Sequence, residues 1–331
     1  MIGRYGASVG QIHRGKSGAY NVALIRTIPN LAIVEPDYFY HYLQSALFQQ
    51  PLGTVAARSA QAGFSKEDIA NFPVHLPPLD EQRRIVAILD EAFAGLATMR
   101  ANAQNNLKNA RALFDSHLNE IFSQKGEGWV EKTLQAVSLD FGRGRSRHRP
   151  RNDPSLYGGK YPFIQTGDVR NAEHFIIEST QTYNELGLEQ SKLWPKGTIC
   201  ITIAANIAET GILGFDACFP DSVIGIVVDP RQASNEYVEF LLQAMKLHLQ
   251  AQGKGSAQDN INMATFENRM FPFPSLDRQA AIIEELNSLL ENVQSLEALY
   301  RQKLAAIDEL KQSILQKAFS GELTANTELA A

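Results

Sequence analysis

Two long stretches of the chain, residues 79–123 and 276–320, contain no proline and repeat apolar residues every three or four positions. This spacing puts the apolar side chains on one side of an α-helix, so each stretch predicts a single long helix. The two stretches align without a gap at a constant offset of 197, with identities at Leu79, Asp80, Gln82, Leu113, Phe122 and Ser123. Glycines follow each stretch as helix stop signals, at Gly126, Gly128 and Gly321.

Outside these helices, short β-branched and apolar runs alternate with turn residues, which is the pattern of strands. The predicted strands are Val22–Ile28, Leu31–Val34, Tyr161–Gln165, Phe175–Ile177, Thr198–Ile203 and Val223–Val228. Short helices are predicted over residues 36–50 and 235–250. The fold class is therefore α+β, with strand-rich domains joined by two long helices.

The repeat extends upstream of the long helices, with small gaps. Matching segments are Gly10–Ile12 with Gly211–Leu213, Tyr38–Gln44 with Tyr237–Gln243, and Ser59–Gln61 with Ser256–Gln258. Each copy thus contains strands, a short helix, an Ala-Gln loop, a proline-rich exit and a long helix. The copies differ upstream of the first match, because residues 129–210 precede it in the second copy and only residues 1–9 in the first.

The spacing of apolar residues also predicts that the two long helices pair with each other. The predicted seam of the second helix is Leu289, Val293, Leu296, Tyr300, Lys303, Ile307, Leu310, Ile314 and Lys317. The matching seam of the first helix is Ala92, Leu96, Met99, Ala103, Asn106, Ala110, Leu113, His117 and Glu120. Large residues on one helix face small ones on the other, so we expect an antiparallel coiled coil. The alternative is that each helix packs on its own domain.

Composition narrows the class of protein. The chain has 331 residues, 44% of them apolar, and a formal net charge of −5, which does not by itself suggest binding to nucleic acid. Its two cysteines, Cys200 and Cys218, make no metal-ligand pattern, and the histidines match no metalloenzyme motif. We therefore expect no metal and no cofactor. With no apolar run of membrane length and no signal-peptide pattern, a cytoplasmic protein that does not bind membranes is expected.

Several segments together identify a family. They are Pro78–Gln82, Tyr161–Val169, Pro195–Thr198, Ile203–Ile207 and Lys311–Leu323. In this combination, and with the duplicated helix, the chain resembles the specificity subunit of Type I restriction–modification systems. The resemblance implies two DNA target-recognition domains separated by antiparallel helices that set the spacing of a bipartite double-stranded DNA site. It also implies docking of modification subunits, which methylate adenine, and of a restriction subunit, with no catalysis by the chain itself.

The resemblance implies the following domain boundaries. Residues 1–77 would be the C-terminal half of a first recognition domain, 78–126 and 276–322 the conserved helices, 127–275 a complete second recognition domain, and 323–331 a tail. A full-length member would begin with a further pair of strands. Three explanations stay open: a fragment or internal start, a natural truncation, or a split gene whose other half comes from another chain. A second copy of the chain is one more candidate partner.

Polar and basic residues in predicted loops of the second domain are candidate DNA contacts, because arginine and lysine bind phosphates and polar side chains read base edges. The strongest candidate is a run of five arginines, Arg143, Arg145, Arg147, Arg149 and Arg151, whose alternative role is a solvated loop. The others are Lys160, Gln165, Thr166, Asn206, Lys254, Gln258, Asn260 and Asn262. Gln165 and Thr166 fit a structural turn equally well, Asn206 fits a buried strand position, and the segment 254–262 fits a simple connector.

Three further groups of residues are candidates for binding. Residues 10–17 match the spacing of a phosphate-binding P-loop, with Lys16 as its lysine, but a strand rather than a helix is predicted to follow. In the first domain, Arg4, Arg14, Lys16 and Arg58 are DNA contacts only if that part folds. On the second helix, the candidate contacts for partner subunits are Leu296, Tyr300, Ile307, Leu310 and Ile314.

The leading functional prediction is a non-enzymatic DNA-sequence reader. The alternative is a helical adaptor that does not bind DNA and instead binds or titrates modification subunits.

Overall fold

The computed structural model describes residues 1–15, 18–58, 62–124, 126–204, 207–246, 249–250, 261, 263–267 and 269–325. The predicted residues Lys16, Asn206, Lys254, Gln258, Asn260 and Asn262 lie outside this described part. By compactness the chain divides into unit 1, Met1–Asn109 with Leu296–Ala331, and unit 2, Ala110–Ser295. Each of the two long helices is divided between the units.

Unit 1 is built from two short strands and three short helices ahead of the first long helix. The strands are β1 (Ile2–Gly3) and β2 (Leu24–Ile25), with a 3-10 helix at Gly6–Ser8. The helices are α1 (Pro36–Gln44), α2 (Ala46–Ala56), α3 (Lys66–Ile69) and the long α4 (Leu79–Ser123). β1 and β2 pair antiparallel, and the core gathers Tyr38, Tyr42, Phe48 and Leu89 with residues from the C-terminal part of the second long helix.

Three predictions for unit 1 need correction. The strand predicted over Val22–Ile28 shrinks to Leu24–Ile25, and Leu31–Val34 forms a turn. The turn arises because the side chain of Asn30 accepts a hydrogen bond from the N–H of Ala32, which replaces a strand ladder. The helix predicted over residues 36–50 breaks at Ser45, whose extended backbone ends α1 and begins α2.

Unit 2 contains most of the sheet structure. Its strands are β3 (Val130–Lys132), β4 (Ser138–Arg143), β5 (Tyr157–Phe163), β6 (Phe175–Ile176), β7 (Gln181–Tyr183), β8 (Leu193–Trp194), β9 (Ile199–Thr202), β10 (Thr210–Leu213), β11 (Ala217–Cys218), β12 (Val223–Val228) and β13 (Phe271–Phe273). Its helices are α5 (Thr166–Asn171), α6 (Glu185–Glu189), α7 (Asn235–Ala244) and α8 (Ala264–Glu267), with 3-10 helices at Gln135–Val137 and Pro154–Leu156. The short helix predicted over 235–250 is interrupted by a turn at Met245, after which the described residues Lys246, Leu249 and Gln250 are again helical.

The strands of unit 2 form three sheets. A five-stranded sheet has the order β4-β12-β9-β10-β6, a four-stranded sheet has the order β7-β5-β11-β8, and β13 pairs with β3. Strands β9 and β12 are buried on both faces, which explains their continuous apolar sequences. The main core joins these strands to α7 and to the long helices. This rigid sheet determines where the loops at its ends lie.

The second long helix, α9, spans Leu276–Ser320 and is followed by α10 (Glu322–Ala325). Both long helices thus match their predicted extents. Gly321 has a φ of 84°, the left-handed conformation in which glycine ends a helix without steric cost. The stop signal read from the sequence is confirmed at this position.

The long helices pair antiparallel, as predicted. In unit 1, Arg100 forms an ion pair with Asp308, and the ammonium of Lys311 lies 5.1 Å from the centre of the Phe93 ring. In unit 2, the His117 Nε2 atom lies 2.8 Å from a Glu285 carboxylate oxygen. From Phe93 to Arg100 the residue numbers rise along α4, whereas those of their partners on α9 fall from Lys311 to Asp308. The two helices therefore run in opposite directions.

The predicted seam is wrong at alternate positions. Leu96, Ala103, Ala110 and Val293 are buried as predicted, but Met99, Leu113, Leu296 and Leu310 are 47%, 58%, 40% and 45% exposed. The adjacent residues turn inward instead, namely Arg100, Leu107, Phe114, Glu297, Leu304, Lys311 and Ala318. Polar side chains can occupy such positions because they bury their aliphatic stems, and Glu297 also pairs with Arg301 at 3.0 Å. An apolar pattern alone therefore misplaced half of the seam.

The repeated glutamine at the start of each long helix has the same structural role in both copies. Gln279, 1% exposed, accepts a hydrogen bond from the N–H of Ser234 (3.1 Å) and donates to the carbonyls of Gln232 (3.3 Å) and Pro274 (3.0 Å). Gln82, fully buried, accepts from the N–H of Glu35 and donates to the carbonyls of Ile33 and Pro77, at 2.8, 2.9 and 2.7 Å. In each unit one side chain thus fixes the helix start to an upstream loop and to the proline-rich exit.

Candidate nucleic-acid interface

Several loops leave the same end of the five-stranded sheet of unit 2. Arg143, the last residue of β4, is paired with Ile224 near the start of β12, and Val223 is paired with Thr202 at the end of β9. Since β10 begins beside β9, at Thr210, its first residue lies at this end too. The loops that follow β4, follow β9 and precede β12 are therefore neighbours, although they are far apart in sequence.

The segment after β4, residues 143–151 and called here the arginine segment, is held against the sheet. Its second residue, Gly144, donates its N–H to the carbonyl of Val223 at 2.9 Å. A Cβ atom at Gly144 would lie 2.2 Å from the carbonyl oxygen of Phe219, so only glycine permits this approach. The segment therefore leaves the strand in a fixed direction.

Distant polar side chains fix the backbone of the arginine segment further along. The Gln190 Oε1 atom accepts hydrogen bonds from the N–H groups of Arg147 (2.6 Å) and His148 (3.1 Å). The Ser191 hydroxyl donates to the carbonyl of Arg145 at 2.9 Å, and the Tyr157 hydroxyl donates to that of Arg151 at 2.8 Å. The sequence carried no signal for the contacts of Gln190 and Ser191, because these residues lie 42 to 46 positions from the groups that they bind, whereas Tyr157 is 6 residues from Arg151.

A histidine–aspartate pair closes the segment. His148 Nε2 lies 2.8 Å from Asp153 Oδ2, and the Asp153 carboxylate also accepts a hydrogen bond from the N–H of Ser155 at 3.0 Å. The hydrogen bonds from Ser155 and then from His148 lower the pKa of Asp153 to about 2. Asp153 is therefore ionised at neutral pH and retains its hold on the loop.

The five arginines divide into two groups by their contacts. Arg143 donates to the carbonyl of Asp221 (2.7 Å), Arg151 pairs with the Asp221 carboxylate (2.8 Å), and Arg149 donates to the carbonyl of Ser146 (2.6 Å). In contrast, the exposed guanidinium groups of Arg145 and Arg147 meet no acceptor within the described part of the chain. These two side chains are the ones free to bind an external anion.

The charge of this end of the sheet differs from that of the whole chain. The arginine segment and the adjacent loop contain five arginines against Asp153 and Asp221, which leaves a formal charge of +3 with His148 neutral. The chain as a whole is at −5. A net negative protein thus presents a local positive surface, which is what attracts a polyanion.

Two other predicted regions begin at the same end of the sheet. Asn206 follows β9 in sequence and lies outside the described residues, and the carbonyl of the next residue, Ile207, accepts a hydrogen bond from Gln250 Nε2 at 3.1 Å. Gln250 immediately precedes the segment that carries Lys254, Gln258 and Asn260, which leads to Ile261 in the buried core. The anchoring residues thus bring the approaches to these two regions together.

The remaining candidates lie in β5 and at the start of α5, which follows it. Gln165 and Thr166 start α5 in a capping box, where the Asp168 carboxylate accepts a hydrogen bond from the N–H of Gln165 at 2.8 Å. Gln165 Nε2 also donates to Gln181 Oε1 at 2.7 Å, so the amide already has a partner. Lys160 is exposed on β5, where its ammonium lies 5.2 Å from the centre of the Tyr161 ring and 3.7 Å from the Glu185 carboxylate, both of them weak surface contacts.

Residues 10–17 do not have the surroundings of a P-loop. A P-loop must open a helix whose N-terminus faces the phosphate. Here the described residues that follow form β2, and the next helix begins at Pro36. The described residues also hold no cluster of three or more potential metal ligands, and no described helix is long and apolar enough to cross a membrane.

Unit 2 also contains a buried charged cluster that the sequence did not reveal. His174 Nδ1 lies 2.8 Å from Glu239 Oε2, and the fully buried Glu239 accepts further hydrogen bonds from Thr210 (2.6 Å) and Gln243 (2.7 Å). Burial disfavours protonation of His174, but the hydrogen bond and charge of Glu239, helped by Glu236, outweigh it and raise the pKa of His174. The cluster joins α7 to the start of β10 and to the segment before β6.

Unit 2 should therefore lose stability as the pH rises from about 6.5 through the raised pKa of His174. A histidine whose pKa is raised by folding makes its full contribution to the stability of the folded state when the pH is below its unfolded pKa of about 6.5. This contribution is lost as the pH rises through the folded pKa. Urea unfolding of the chain from pH 5.5 to 8.5 should show this decline, and His174→Gln should flatten it. His41 in unit 1 is the control, because burial lowers its pKa and predicts the opposite slope. An unchanged slope in His174→Gln would contradict the assignment.

Comparison with known proteins places the chain in a family. A family model described as the Type I restriction modification DNA specificity domain matches residues 5–109 and 127–305. The chain is 23% identical over 318 residues to the putative type I restriction enzyme MjaX specificity subunit of Methanocaldococcus jannaschii, covering 93% of this chain and 72% of that protein. It is 24% identical over 316 residues to the type I restriction enzyme EcoKI specificity subunit of Escherichia coli, covering 88% and 67%. The chain thus spans about two thirds of the length of such relatives.

Solved structures share the fold. One, from a study of complex assembly and conformational transition of the type I R-M system, has a TM-score of 0.75 at 22% identity, covering 89% of this chain and 73% of that one. The crystal structure of the HsdS subunit from Thermoanaerobacter tengcongensis has a TM-score of 0.56 at 22% identity, covering 89% and 72%.

Proposed function

The chain belongs to the family of Type I restriction modification DNA specificity domains, and from this premise we propose that it recognises DNA for a restriction–modification complex. The observation that carries the proposal is the pair of free guanidinium groups, Arg145 and Arg147, on a backbone that the sheet and Gln190 hold in place. Arginine binds phosphate oxygens and, in the major groove, the O6 and N7 atoms of guanine. A fixed backbone lets such contacts select a sequence.

Within this proposal the predicted residues have different roles. Arg145 and Arg147 contact DNA directly, whereas Arg143, Arg149 and Arg151 shape the segment and contribute charge. Lys160 and Thr166 remain outer contacts, and Gln165 holds the turn. The regions beside this site add the contacts proposed for Asn206, Lys254, Gln258, Asn260 and Asn262.

We also propose that residues 127–275 form a complete recognition domain, between conserved helices at 78–126 and 276–322. Residues 1–77 belong to the other recognition domain. The chain itself would carry no catalytic activity, so methylation and cleavage fall to modification and restriction subunits.

The long helices supply a surface for those subunits. Leu296, Leu299 and Leu310 are 40%, 43% and 45% exposed and lie along one side of α9. Exposed large apolar residues at helical spacing are typical of a surface that another protein covers. Tyr300, Ile307 and Ile314 are half-buried in the helix pair, so their contribution to partner binding is partly indirect.

The adaptor alternative is disfavoured. An adaptor that only titrates modification subunits has no use for a braced arginine segment that, together with the adjacent loop, carries a formal charge of +3. The relatives named as specificity subunits also favour DNA recognition.

The function is tested by mapping methyladenine in cells that express this chain with its cognate modification subunit. We expect methylation confined to one sequence motif, absent when the chain is omitted. Methylation without sequence preference, or none while the subunits still co-purify, would support the adaptor instead.

The docking surface is tested in the same cells. Leu296→Lys with Leu310→Lys should abolish co-purification of the modification subunit and with it methylation, because lysine in a buried apolar contact is strongly unfavourable. Both positions are exposed, so the fold should persist. The matched control is Leu186→Lys on α6, which is 57% exposed on a helix that packs against β5 and β7. Normal methylation in the double variant would exclude this side of α9 as the docking surface.

A further inference from the structure

Strand β6 forms one edge of the five-stranded sheet of unit 2, and only its inner side is paired in the described part of the chain. On that side the carbonyls of His174 and Ile176 accept hydrogen bonds from the N–H groups of Ile212 and Gly214, both at 3.0 Å, as β6 runs parallel to β10. Since the backbone groups of alternate residues face opposite sides of a strand, those of Phe175 and Ile177 face outward. Among the described residues, none of these N–H and C=O groups has a hydrogen-bond partner.

The side chains of this edge are apolar and open to solvent. Phe175 is 45% exposed and Ile177 is 75% exposed, while Ile176 between them is 2% exposed and belongs to the core. Edge strands that stay unpaired are commonly protected by a lysine or a proline, and residues 174–177 contain neither. The outer edge of β6 therefore has the backbone and the side chains that pairing with another strand requires.

A groove of about 790 Å³ runs beside this edge. It is lined by residues 171–180, by Asp168 at the start of α5 and by Gln294 of α9. The lining contains the carboxylates of Asp168, Glu173 and Glu178 and no lysine or arginine. The groove therefore attracts a basic ligand and repels the phosphates of DNA.

None of these three carboxylates forms an ion pair with a described residue, and two of them are held in place. Glu173 Oε2 accepts a hydrogen bond from Gln294 Nε2 at 2.7 Å. Asp168 Oδ2 accepts hydrogen bonds from the N–H of Gln165 at 2.8 Å and from the Thr180 hydroxyl at 3.2 Å. These neutral donors fix the carboxylates without cancelling their charge.

We propose that the outer edge of β6 binds an extended, basic segment of a partner protein by strand addition, separately from DNA recognition. The backbone of the segment forms hydrogen bonds with Phe175 and Ile177, and its aliphatic side chains lie beside those two residues. Lysines or arginines at the ends of the segment approach Glu173 and Glu178.

A second copy of this chain is a poor occupant. Pairing two β6 strands would bring a second set of the same carboxylates into the groove, and like charges placed so close are unfavourable. The most basic segment of the chain, residues 143–151, is held to its own unit by Gln190 and Asp221. The segment must therefore come from a different protein.

The test titrates the full chain into the labelled peptide Gly-Lys-Val-Thr-Val-Thr-Val-Lys-Gly and follows fluorescence anisotropy. We expect saturable binding, and at least about tenfold slower hydrogen exchange at the amides of Phe175 and Ile177. Replacing both lysines of the peptide by glutamate should weaken binding at least about tenfold, because attraction to Glu173 and Glu178 becomes repulsion.

Two N-methylated peptides test strand pairing itself. Successive N–H groups of a strand point to opposite sides, so only one of two adjacent residues can donate to β6. Methylation of the central valine nitrogen should weaken binding about tenfold if the peptide is antiparallel to β6, and methylation of the next threonine nitrogen if it is parallel. The other methylated peptide should bind within about twofold of the parent.

Ile177→Pro tests the same edge from the side of the chain. Proline removes an N–H that has no described partner, and edge strands accept proline, so the urea midpoint should stay unchanged. Peptide binding should weaken about tenfold, because the donor is lost. Ile177→Thr is the matched control, since it keeps the N–H and the branched side chain and should bind within about threefold.

Three results would overturn the proposal. The first is no binding of the parent peptide, and the second is an equal effect of the two N-methyl groups, which would mean that binding does not use the strand edge. The third is a concentration-dependent dimer of the chain that excess peptide dissociates, which would assign the edge to a second copy.

Discussion

Replacing Arg145 and Arg147 together by alanine should weaken binding of the chain to its DNA motif by about 100-fold or more. Each bidentate arginine contact to a base contributes about 1–3 kcal/mol, and two such losses multiply in the dissociation constant. The free energy of unfolding should stay unchanged, because both guanidinium groups are exposed and without an acceptor among the described residues. Binding and stability are thereby separated in one variant.

The measurement is a titration of labelled duplex by fluorescence anisotropy over a range of salt concentrations. If both arginines bind phosphates, the slope of log affinity against log salt should fall in magnitude by about 1.8, since each phosphate contact contributes about 0.9. If they read bases, the ratio of affinities for the motif and for unrelated DNA should fall instead. The two roles are therefore distinguishable from one data set.

The matched control removes the same charge from two positions of unit 2 outside the arginine segment. Arg231 follows the far end of β12, paired with Asp229, and Arg278 lies in the first turn of α9. Arg231→Ala with Arg278→Ala should change affinity only slightly. Equal losses in both double variants would mean that net charge, and not the arginine segment, determines binding.

The sequence predicted the elements whose signals are local. Both long helices, the stop at Gly321 and the strand Val223–Val228 were found because apolar spacing and glycine act over a few residues. The strand predicted over Leu31–Val34 is wrong because the side chain of Asn30 stabilises a turn there. The run of apolar and β-branched residues gives no sign of this turn. The predicted helix seam is wrong at Leu296, because the adjacent Glu297 turns inward there and buries its aliphatic stem.

The candidate site was predictable in composition but not in geometry. The run of arginines is visible in the sequence, yet which of them are free depends on Asp221 and Gln190, which are distant along the chain. Only the pairing of β4 with β12 brings Asp221 beside Arg143 and Arg151. Long-range pairing of this kind has no signature in a single sequence, so the division of the five arginines had to come from the fold.

The sequence shows that a glutamine is repeated at the start of both long helices, but it does not show which groups the glutamine side chain binds. Gln279→Ala should lower the free energy of unfolding of the chain by about 2–4 kcal/mol. The substitution leaves the N–H of Ser234 and the carbonyls of Gln232 and Pro274 without their buried partner, and each such group costs about 1–3 kcal/mol. Urea unfolding followed by circular dichroism measures the change.

Gln302→Ala is the matched control, because Gln302 is exposed on the same helix and alanine favours helix formation slightly. It should leave stability unchanged or raise it by a few tenths of a kcal/mol. Gln82→Ala should repeat the loss seen in Gln279→Ala, since Gln82 makes the equivalent three hydrogen bonds in unit 1. If Gln279→Ala were as stable as Gln302→Ala, the upstream loop and proline-rich exit would have to be held to the helix by apolar packing alone, and the repeated glutamine would need another explanation.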